Sequence, residues 1–321
     1  MAKPLVAFYW CASCGGCEES IVDLAEDILK VVDAVEFKLF PVAMDFKYSD
    51  VEALPDKALA VSFINGAIRT SEQKHLAELL RRKSQLVVAY GACAHLGGIP
   101  GLANVANRRE IFETAYKTTP STANPKGIYP QTVTETEFGK LTLPEIFDTV
   151  HTLDQTIEVD YYLPGCAPPP DLVMKAILAI LEGKLPAKGS VLTSEKALCE
   201  TCARNKTKPE KLAIKDIKRI SQVIADPEKC FLAEGIICLG PATRGGCGER
   251  CINANMPCRG CFGPTREVKD MGARFMSGLA SIIDVDDEAE VKKIAESIID
   301  PIGLFYMYTL PSSLINRKQG E

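Results

Sequence analysis

Apolar and amphipathic segments alternate along the first half of the chain. Apolar runs rich in β-branched and aromatic residues predict buried strands, and apolar residues that recur every three or four positions predict helices. The predicted strands are residues 4–10, 35–42, 58–64, 85–90 and 156–163. The predicted helices are residues 18–32, 71–83 and 171–181. Strands that alternate with helices favour parallel βαβ units, so the sequence predicts an α/β fold with a doubly wound parallel sheet.

The pattern changes in the second half. Glycine, proline and serine interrupt the periodicity around residue 186, which predicts two domains, 1–186 and 187–321. The second domain has six cysteines within residues 228–265 and few long periodic segments, so we expect loops that fold around metal. A helix is expected near 287–299. The apolar stretch 302–310 is expected to pack on its own domain, with docking on a partner as the alternative.

Composition and charge exclude several classes of protein. Hydrophobic residues make up 46% and charged residues 25%, which is typical of a soluble globular chain. The net charge of −5 favours neither nucleic acid nor an anionic membrane as a partner. No apolar run approaches the ~18 residues of a spanning helix, and the start has neither a twin-arginine pattern nor a signal-peptide cleavage site. We therefore expect a cytoplasmic protein, in which thirteen reduced cysteines favour metal over disulfides.

Twelve of the thirteen cysteines sort into three sets of four, each with one closely spaced pair. The first set is Cys14, Cys17, Cys93 and Cys166. The second set is Cys199, Cys202, Cys230 and Cys238. The third set is Cys247, Cys251, Cys258 and Cys261. Four thiolates are what a 4Fe–4S cluster requires, one for each iron atom. The pattern therefore predicts three 4Fe–4S clusters and a path for electrons.

The predicted strands bring the first set to one edge of the sheet. Cys14 and Cys17 follow the first strand, Cys93 follows the fourth, and Cys166 follows the fifth. In doubly wound sheets, sites form beyond the carboxyl ends of the strands. We therefore expect these four thiols to share one site.

Other chemistry fits parts of the pattern. Cys14 and Cys17 have the spacing of a thioredoxin-like redox pair or of half a zinc site, although a redox pair needs no further cysteines. The C-x-x-C pairs at 199–202 and 258–261 also occur in zinc ribbons. One zinc ion leaves four cysteines over, whereas two zinc sites satisfy the spacing, so a non-redox zinc scaffold is an alternative.

Residues outside the three sets carry weaker signals. Cys11 is the odd cysteine and is interpreted as a packing residue. His95 fits a capped loop position better than a metal ligand or a proton carrier. Glu18 and Glu19 are capable of passing protons, but acids are expected in the first turn of a helix. Six lysines and arginines within 240–275 either offset the charge of a cluster or form a solvated face.

The motifs around these cysteines resemble those of the small, electron-transferring subunit of cytoplasmic nickel–iron hydrogenases. The resemblance is greatest to the gamma subunit of the F420-non-reducing (methyl-viologen-reducing) type. The matching segments are residues 14–17, 91–94, 97–102, 164–168, 199–202, 238–243 and 257–264. They run from one end of the chain to the other in a specific order.

The resemblance implies a flavodoxin-like first domain, followed by a loop-rich and helical iron–sulfur domain. It implies that the first set holds a proximal cluster, the second set a distal cluster and the third set a medial cluster. Membrane-type relatives have a histidine in the place of Cys199. Many relatives lack a counterpart of Cys251 and hold three iron atoms in the medial cluster, so its presence favours a four-iron centre here.

The resemblance also implies a function. The chain would relay electrons between a nickel–iron site on a hydrogenase large subunit and a redox partner. That partner would be a 2Fe–2S electron-transfer subunit docked to a heterodisulfide reductase-like complex. The alternative is the same relay with another donor, for example formate oxidation, because the short complex I subunit has a similar first domain.

Overall fold

A computed structural model describes residues 2–318. The strands are β1 (Leu5–Trp10), β2 (Glu36–Leu39), β3 (Leu59–Asn65), β4 (Ile68–Thr70), β5 (Ser84–Tyr90), β6 (Val133–Thr136), β7 (Gly139–Thr142), β8 (Ile146–His151) and β9 (Tyr161–Leu163). The helices of the first half are α1 (Gly16–Val22), α2 (Ile28–Ala34), α3 (Tyr48–Glu52), α4 (Ser71–Lys83), α5 (Gly91–Leu96), α6 (Arg108–Glu113) and α7 (Pro170–Leu181). Those of the second half are α8 (Leu198–Thr201), α9 (Arg250–Asn253), α10 (Met271–Ala280), α11 (Glu288–Ser297) and α12 (Pro301–Phe305).

Five parallel strands form the central sheet in the order β2-β1-β3-β5-β9. This order is that of flavodoxin-like sheets, so the predicted α/β class and doubly wound topology are confirmed. The strands are apolar on both sides because both faces of the sheet are covered. Val6 and Phe8 belong to one core with α1, α2 and α7, whereas Ala7 belongs to a second core with α4.

Two sequence expectations about this sheet are wrong in detail. The predicted helix 18–32 is two helices, because Ala25 adopts a left-handed conformation (φ +50°) and starts a 3-10 turn between α1 and α2. The predicted strand 156–163 forms only as β9. Residues before it make a turn in which the Ile157 amide donates to the Leu153 carbonyl at 2.9 Å.

Two short antiparallel pairs lie outside the central sheet. β4 pairs with β8, and β6 pairs with β7 as a hairpin. The hairpin is almost wholly exposed, and Phe138 at its turn is 88% exposed. The sequence pattern does not predict these strands, because short strands without a buried face carry little apolar periodicity.

The second half has its own hydrophobic core, which residues 198–310 supply. Its helices are short apart from α10 and α11, and α11 matches the helix expected near 287–299. Cys230, Cys238 and Cys258 are buried in this core. The core therefore forms around thiols as well as around aliphatic side chains. No helix within residues 2–318 has the length and apolarity to cross a membrane.

The C-terminal segment packs on its own chain. Phe305, Tyr306 and Leu310 are buried, which confirms the expectation for the apolar stretch 302–310. The segment then returns to the first half, where the Gly98 amide donates to the Tyr308 carbonyl at 2.9 Å. Pro311 lies so close to Gly97 that a Cβ added to this glycine would be 2.2 Å from the proline ring.

Candidate metal centres

The first set of thiols lies at the carboxyl ends of β1, β5 and β9. Burial raises the pKa of Cys17, and repulsion from Cys93, Cys166 and Cys14 raises it further. Burial likewise raises the pKa of Cys93 to about 12, with added repulsion from Cys166 and Cys14. Such mutual repulsion requires that the four thiols are near neighbours. The structure thus brings together all four members of the first set.

Asn65 orients the loop that carries the first two cysteines. It lies at the carboxyl end of β3, between β1 and β5, and is fully buried. Its side chain donates to the Tyr9 carbonyl at 3.1 Å and to the carboxylate of Glu18, and it accepts from the Ser13 hydroxyl at 3.0 Å. Sequence reasoning missed this residue; the available signal is an amide at the end of an otherwise apolar strand.

Two glycines leave room for the sulfur atoms of the first set. Gly91 has φ +82°, and a Cβ placed there would lie 2.4 Å from the sulfur of Cys17. Gly98 has φ +56°, and its Cβ would lie 2.5 Å from the sulfur of Cys93. A side chain at either position would therefore displace a thiol of the set.

The second set surrounds one small cavity. All four of its cysteines line this cavity, together with Arg204, Asn205 and Lys208. Burial raises the pKa of Cys199 to about 12, while the positive charge of Lys208 acts in the opposite direction. Burial raises the pKa of Cys238 to about 11, and backbone amides of Gly240 and Cys258 partly offset it. Amides directed at sulfur stabilise a thiolate, which is the form that binds metal.

The third set lies between the other two. Burial raises the pKa of Cys261 to about 12, followed by repulsion first from Cys166 of the first set and then from Cys247 and Cys251. On the other side, the Cys258 amide donates to the sulfur of Cys238, in the second set, at 3.3 Å. The three sets therefore form a row in the order first, third, second.

Arg204 ties the loops of the second half together. This buried side chain donates to the carbonyls of Asp226 (3.0 Å), Lys229 (3.2 Å) and Ile252 (3.3 Å). It also donates to the Asn255 side chain at 2.9 Å and stacks over the Phe231 ring at 4.3 Å. The bonded carbonyls flank Cys230 and Cys251, so one guanidinium connects the second and third sets. Sequence reasoning missed Arg204, because it lies in a basic run.

The remaining candidates occupy structural positions. Cys11 is buried in the sheet core opposite the one that contains Cys17, as its interpretation as a packing residue requires. His95 is within α5 rather than in a loop, and its ring packs 4.7 Å from that of Tyr162. Burial, followed by the charge of Arg244, lowers the pKa of His95 to about 3, so its imidazole is neutral at physiological pH. Glu18 and Glu19 are in the first turn of α1, as expected.

The basic residues of 240–275 divide into two groups. Arg250 and Arg266 are exposed and face Asp171 at 3.5 Å and Glu195 at 3.9 Å. Arg244 is buried and donates to the Ser194 carbonyl at 3.2 Å. The region therefore combines a solvated face with the buried Arg244 and the half-buried Arg259, which donates to the Gly303 carbonyl at 3.4 Å.

The donor sets fit iron–sulfur clusters. Each set has four sulfur donors, and within the second set they surround a common cavity. Across residues 2–318, no three cysteine, histidine, aspartate or glutamate side chains converge closely enough to hold a single metal ion.

Comparison with known proteins identifies related chains. The sequence model of the family "NADH ubiquinone oxidoreductase, 20 Kd subunit" matches residues 14–180. The F420-non-reducing hydrogenase iron–sulfur subunit of Archaeoglobus profundus is 41% identical over 316 residues, which cover 98% of both chains. The corresponding F420-non-reducing hydrogenase subunit of Methanothermobacter thermautotrophicus is 38% identical over 320 residues, or 98% of this chain and 97% of that protein.

The chain belongs to the family of F420-non-reducing hydrogenase iron–sulfur subunits. Members of this family are hydrogenase subunits, so this chain is part of an oxidoreductase. The sequence resemblance is confirmed at this level, although the relatives' names carry the letter G rather than gamma.

A solved structure supports the fold of this hydrogenase family member. The [NiFeSe] hydrogenase from Desulfovibrio vulgaris Hildenborough contains a chain that matches 83% of this chain and 95% of its own length. The TM-score is 0.55 at 17% sequence identity. This likeness shows the shared fold.

Proposed function

We propose that this chain relays electrons between a nickel–iron site on a hydrogenase large subunit and a redox partner through three 4Fe–4S clusters. The proposed ligands are the three sets defined above, as proximal (first set), medial (third set) and distal (second set) clusters. Bound clusters would supply reversible one-electron transfer. The observation that carries the proposal is the row of thiols, in which Cys261 neighbours Cys166 and Cys258 contacts Cys238.

The protein's own contribution is to hold these thiols at fixed positions, five of them buried: Cys17, Cys93, Cys230, Cys238 and Cys258. Burial and the density of hydrogen bonds to sulfur set the potential of an iron–sulfur centre. The amide that Cys258 directs at Cys238 is such a contact, and the Tyr308 phenol lies near Cys166 and Cys261. Each of them places a donor between two neighbouring sets.

The large subunit is proposed to pack over the first set. Two large apolar side chains flank this set at the surface, Trp10 at 41% exposure and Ile99 at 46%. Trp10 lies against Gly15 in the loop of Cys14, and the Ile99 backbone contacts Cys93. Exposed apolar side chains at a site are typical of a surface that a permanent partner covers.

The proposed acceptor is a 2Fe–2S subunit docked to a heterodisulfide reductase-like complex in the cytoplasm. The resemblance to the F420-non-reducing type supports this choice. A second candidate is the same relay serving a donor other than hydrogen, such as formate oxidation. The match of residues 14–180 to a family named for an NADH ubiquinone oxidoreductase subunit favours that candidate.

The experiment is elemental analysis with paramagnetic resonance on the complex that copurifies with this chain. The relay predicts about twelve iron atoms per chain beyond those of the partners, and the hydrogenase assignment predicts nickel in the large subunit. A nickel-free complex would favour the second candidate. Zinc in place of iron would refute both and support a zinc scaffold.

The ligand assignment has its own test in Cys166→Ser. This change is expected to remove or degrade the proximal cluster and to halt hydrogen-dependent turnover, while the signals of the other two clusters persist. Cys11→Ser is the matched control, because it alters a buried cysteine outside the three sets. Full iron content and activity in the Cys166 variant would show that the assignment is wrong.

A further inference from the structure

One segment of the second half has a net positive charge, whereas the whole chain has a net negative charge. Residues 196–219 contain eight lysines and arginines and three acids, a net charge of +5 in a chain whose total is −5. The basic residues are Lys196, Arg204, Lys206, Lys208, Lys211, Lys215, Lys218 and Arg219. Arg204 is occupied by the internal contacts described above, so the others determine the surface charge.

This segment lies directly against the second set of thiols. The Cys230 amide donates to the Thr207 hydroxyl at 2.9 Å, and Lys208 lines the cavity that the four cysteines surround. Cys199 and Cys202 are within the segment itself. The positive charge is therefore concentrated at the end of the thiol row farthest from the first set.

Four lysines of the segment have no ionic partner among the described residues. Lys206, Lys211 and Lys215 are exposed, and Lys208 is half-buried. Within residues 2–318, none of these four nitrogens lies within 4.0 Å of a carboxylate; in this segment only Lys218 has such a partner, Asp216 at 3.8 Å. An acidic stretch, 284–290, begins beside Ile214, where the Asp284 amide donates to the Ile214 carbonyl at 2.9 Å. Even with this neighbour, the lysines form no ion pairs in the described part of the chain.

We propose that Lys206, Lys208, Lys211 and Lys215 form a docking surface for the acidic face of a protein electron carrier. This inference rests on the proposed relay and specifies the chemistry of the partner at its distal end. Unpaired charges at a surface accelerate encounter with an oppositely charged protein and align it, and transient redox interfaces are small. Because Lys208 lines the cavity of the second set, such docking brings the carrier close to the proposed distal cluster.

The test uses the complex of this chain with the hydrogenase large subunit, without the proposed 2Fe–2S subunit, and two electron acceptors. Oxidation of hydrogen to two protons releases two electrons, which reduce two molecules of methyl viologen, a small cation, or two molecules of an acidic plant-type 2Fe–2S ferredoxin. The patch variant is Lys206→Glu/Lys211→Glu/Lys215→Glu. The matched control, Lys126→Glu/Lys175→Glu/Lys293→Glu, makes the same charge change at exposed lysines elsewhere. Both variants are compared with the native complex between about 50 and 500 mM salt.

The measured quantity is the ratio of kcat/KM for ferredoxin to that for viologen. In the patch variant this ratio is expected to fall about tenfold or more at low salt, and its salt dependence to flatten, because the attractive field is reversed. The control variant is expected to keep the native ratio. Equal ratios in the two variants, or a native complex that reduces viologen but not ferredoxin, would overturn the docking surface.

Two further outcomes separate the alternatives. A change of oligomeric state in the patch variant, with an unchanged ratio, would assign the surface to a second copy of this chain through its acidic stretch 284–290, and would overturn the proposal. A native complex that fails to reduce viologen with hydrogen would refute the relay itself.

Discussion

The two halves of the chain hold their thiols by different means. In the first half, the cysteines follow strands of a sheet whose two faces are buried by aliphatic and aromatic side chains. In the second half, eight cysteines lie on loops and on the four-residue helices α8 and α9. The proposed boundary at residue 186 separates these arrangements. A site at strand ends is therefore positioned by a sheet that we expect to fold without metal. The loops that carry the other sites are expected to need bound metal in order to fold.

The largest expected effect is obtained by withholding iron from the whole chain. We predict that the iron-free protein keeps slow amide exchange in β1, β3 and β5, because the sheet core contains no proposed metal ligand other than cysteines at its edge. We predict fast exchange over residues 230–262, because that core includes Cys230, Cys238 and Cys258. Hydrogen exchange followed by mass spectrometry provides the measurement. Equal protection from amide exchange in the two regions would show that the two halves do not differ in their dependence on metal.

The next effect tests Arg204, whose hydrogen bonds connect loops of the second half, where helices and strands are few. Arg204→Ala leaves the carbonyls of Asp226, Lys229 and Ile252 without their donor. Because an unpaired buried acceptor costs about 1–3 kcal/mol, we expect a loss of about 3 kcal/mol or more in the free energy of unfolding of this half. Iron is expected to be lost from the second and third sets and retained in the first. Arg219→Ala, at an exposed position, is the control. An Arg204 variant with full iron content and native stability would show that the second half does not depend on the contacts of Arg204.

A smaller effect is expected for the buried ion pairs of the first half. Asp160 accepts from Arg81 at 2.6 Å and from the Val87 amide at 2.8 Å, and it forms an ion pair with Lys188 at 2.5 Å. Burial by itself raises the pKa of Asp160, but the hydrogen bonds from Lys188, Arg81 and Val87 outweigh it, and the net shift is downward. Asp160→Asn is expected to reduce the free energy of unfolding by about 1–3 kcal/mol without loss of iron.

The sign of the pH dependence follows from that lowered pKa. The contribution of Asp160 to stability is present above the ordinary value of 3.8 and is lost as the pH falls through the lower, folded-state value. The native chain is therefore expected to lose more stability than the Asp160→Asn variant when it is acidified through this range, as measured by urea unfolding at a series of pH values. The exposed Asp33→Asn is expected to keep the native pH dependence. Parallel pH profiles for the native chain and the Asp160→Asn variant would exclude this role.

The smallest effect concerns the thirteenth cysteine. Cys11→Ser buries a hydroxyl in an apolar core, and we expect a loss of about 1 kcal/mol in the free energy of unfolding. Iron content and the signals of all proposed clusters are expected to be unchanged. Iron analysis of the variant checks this. Loss of one cluster would mean that Cys11 is a ligand and that the first set is wrongly composed.

Much of the first half was predictable from the sequence, because burial on both faces leaves a continuous apolar signal. β1, β3, β5, α4 and α7 were predicted close to their observed bounds. The failures occur where a single residue decides the outcome. The left-handed conformation of Ala25 interrupts a pattern that otherwise continues as a helix, and the turn at Leu153 shortens a strand.

The candidate site was predictable in its components and not in its contacts. Spacing sorts the cysteines into sets, but it does not determine that the third set lies between the other two, since that order depends on contacts between distant residues. The roles of Asn65 and Arg204 were not predictable from the sequence either. A buried polar side chain acts through the partners that the tertiary fold brings to it, and neither residue has a local sequence signature.

The contact between the Tyr308 carbonyl and the Gly98 amide has a consequence for biosynthesis. Gly98 borders the sulfur of Cys93, so the surroundings of the first thiol set include a segment that the ribosome adds long after the sheet has been translated. An N-terminal fragment that folds early would present this site without its C-terminal cover. The surroundings of the first site would then be complete only after the C-terminal segment has been synthesised.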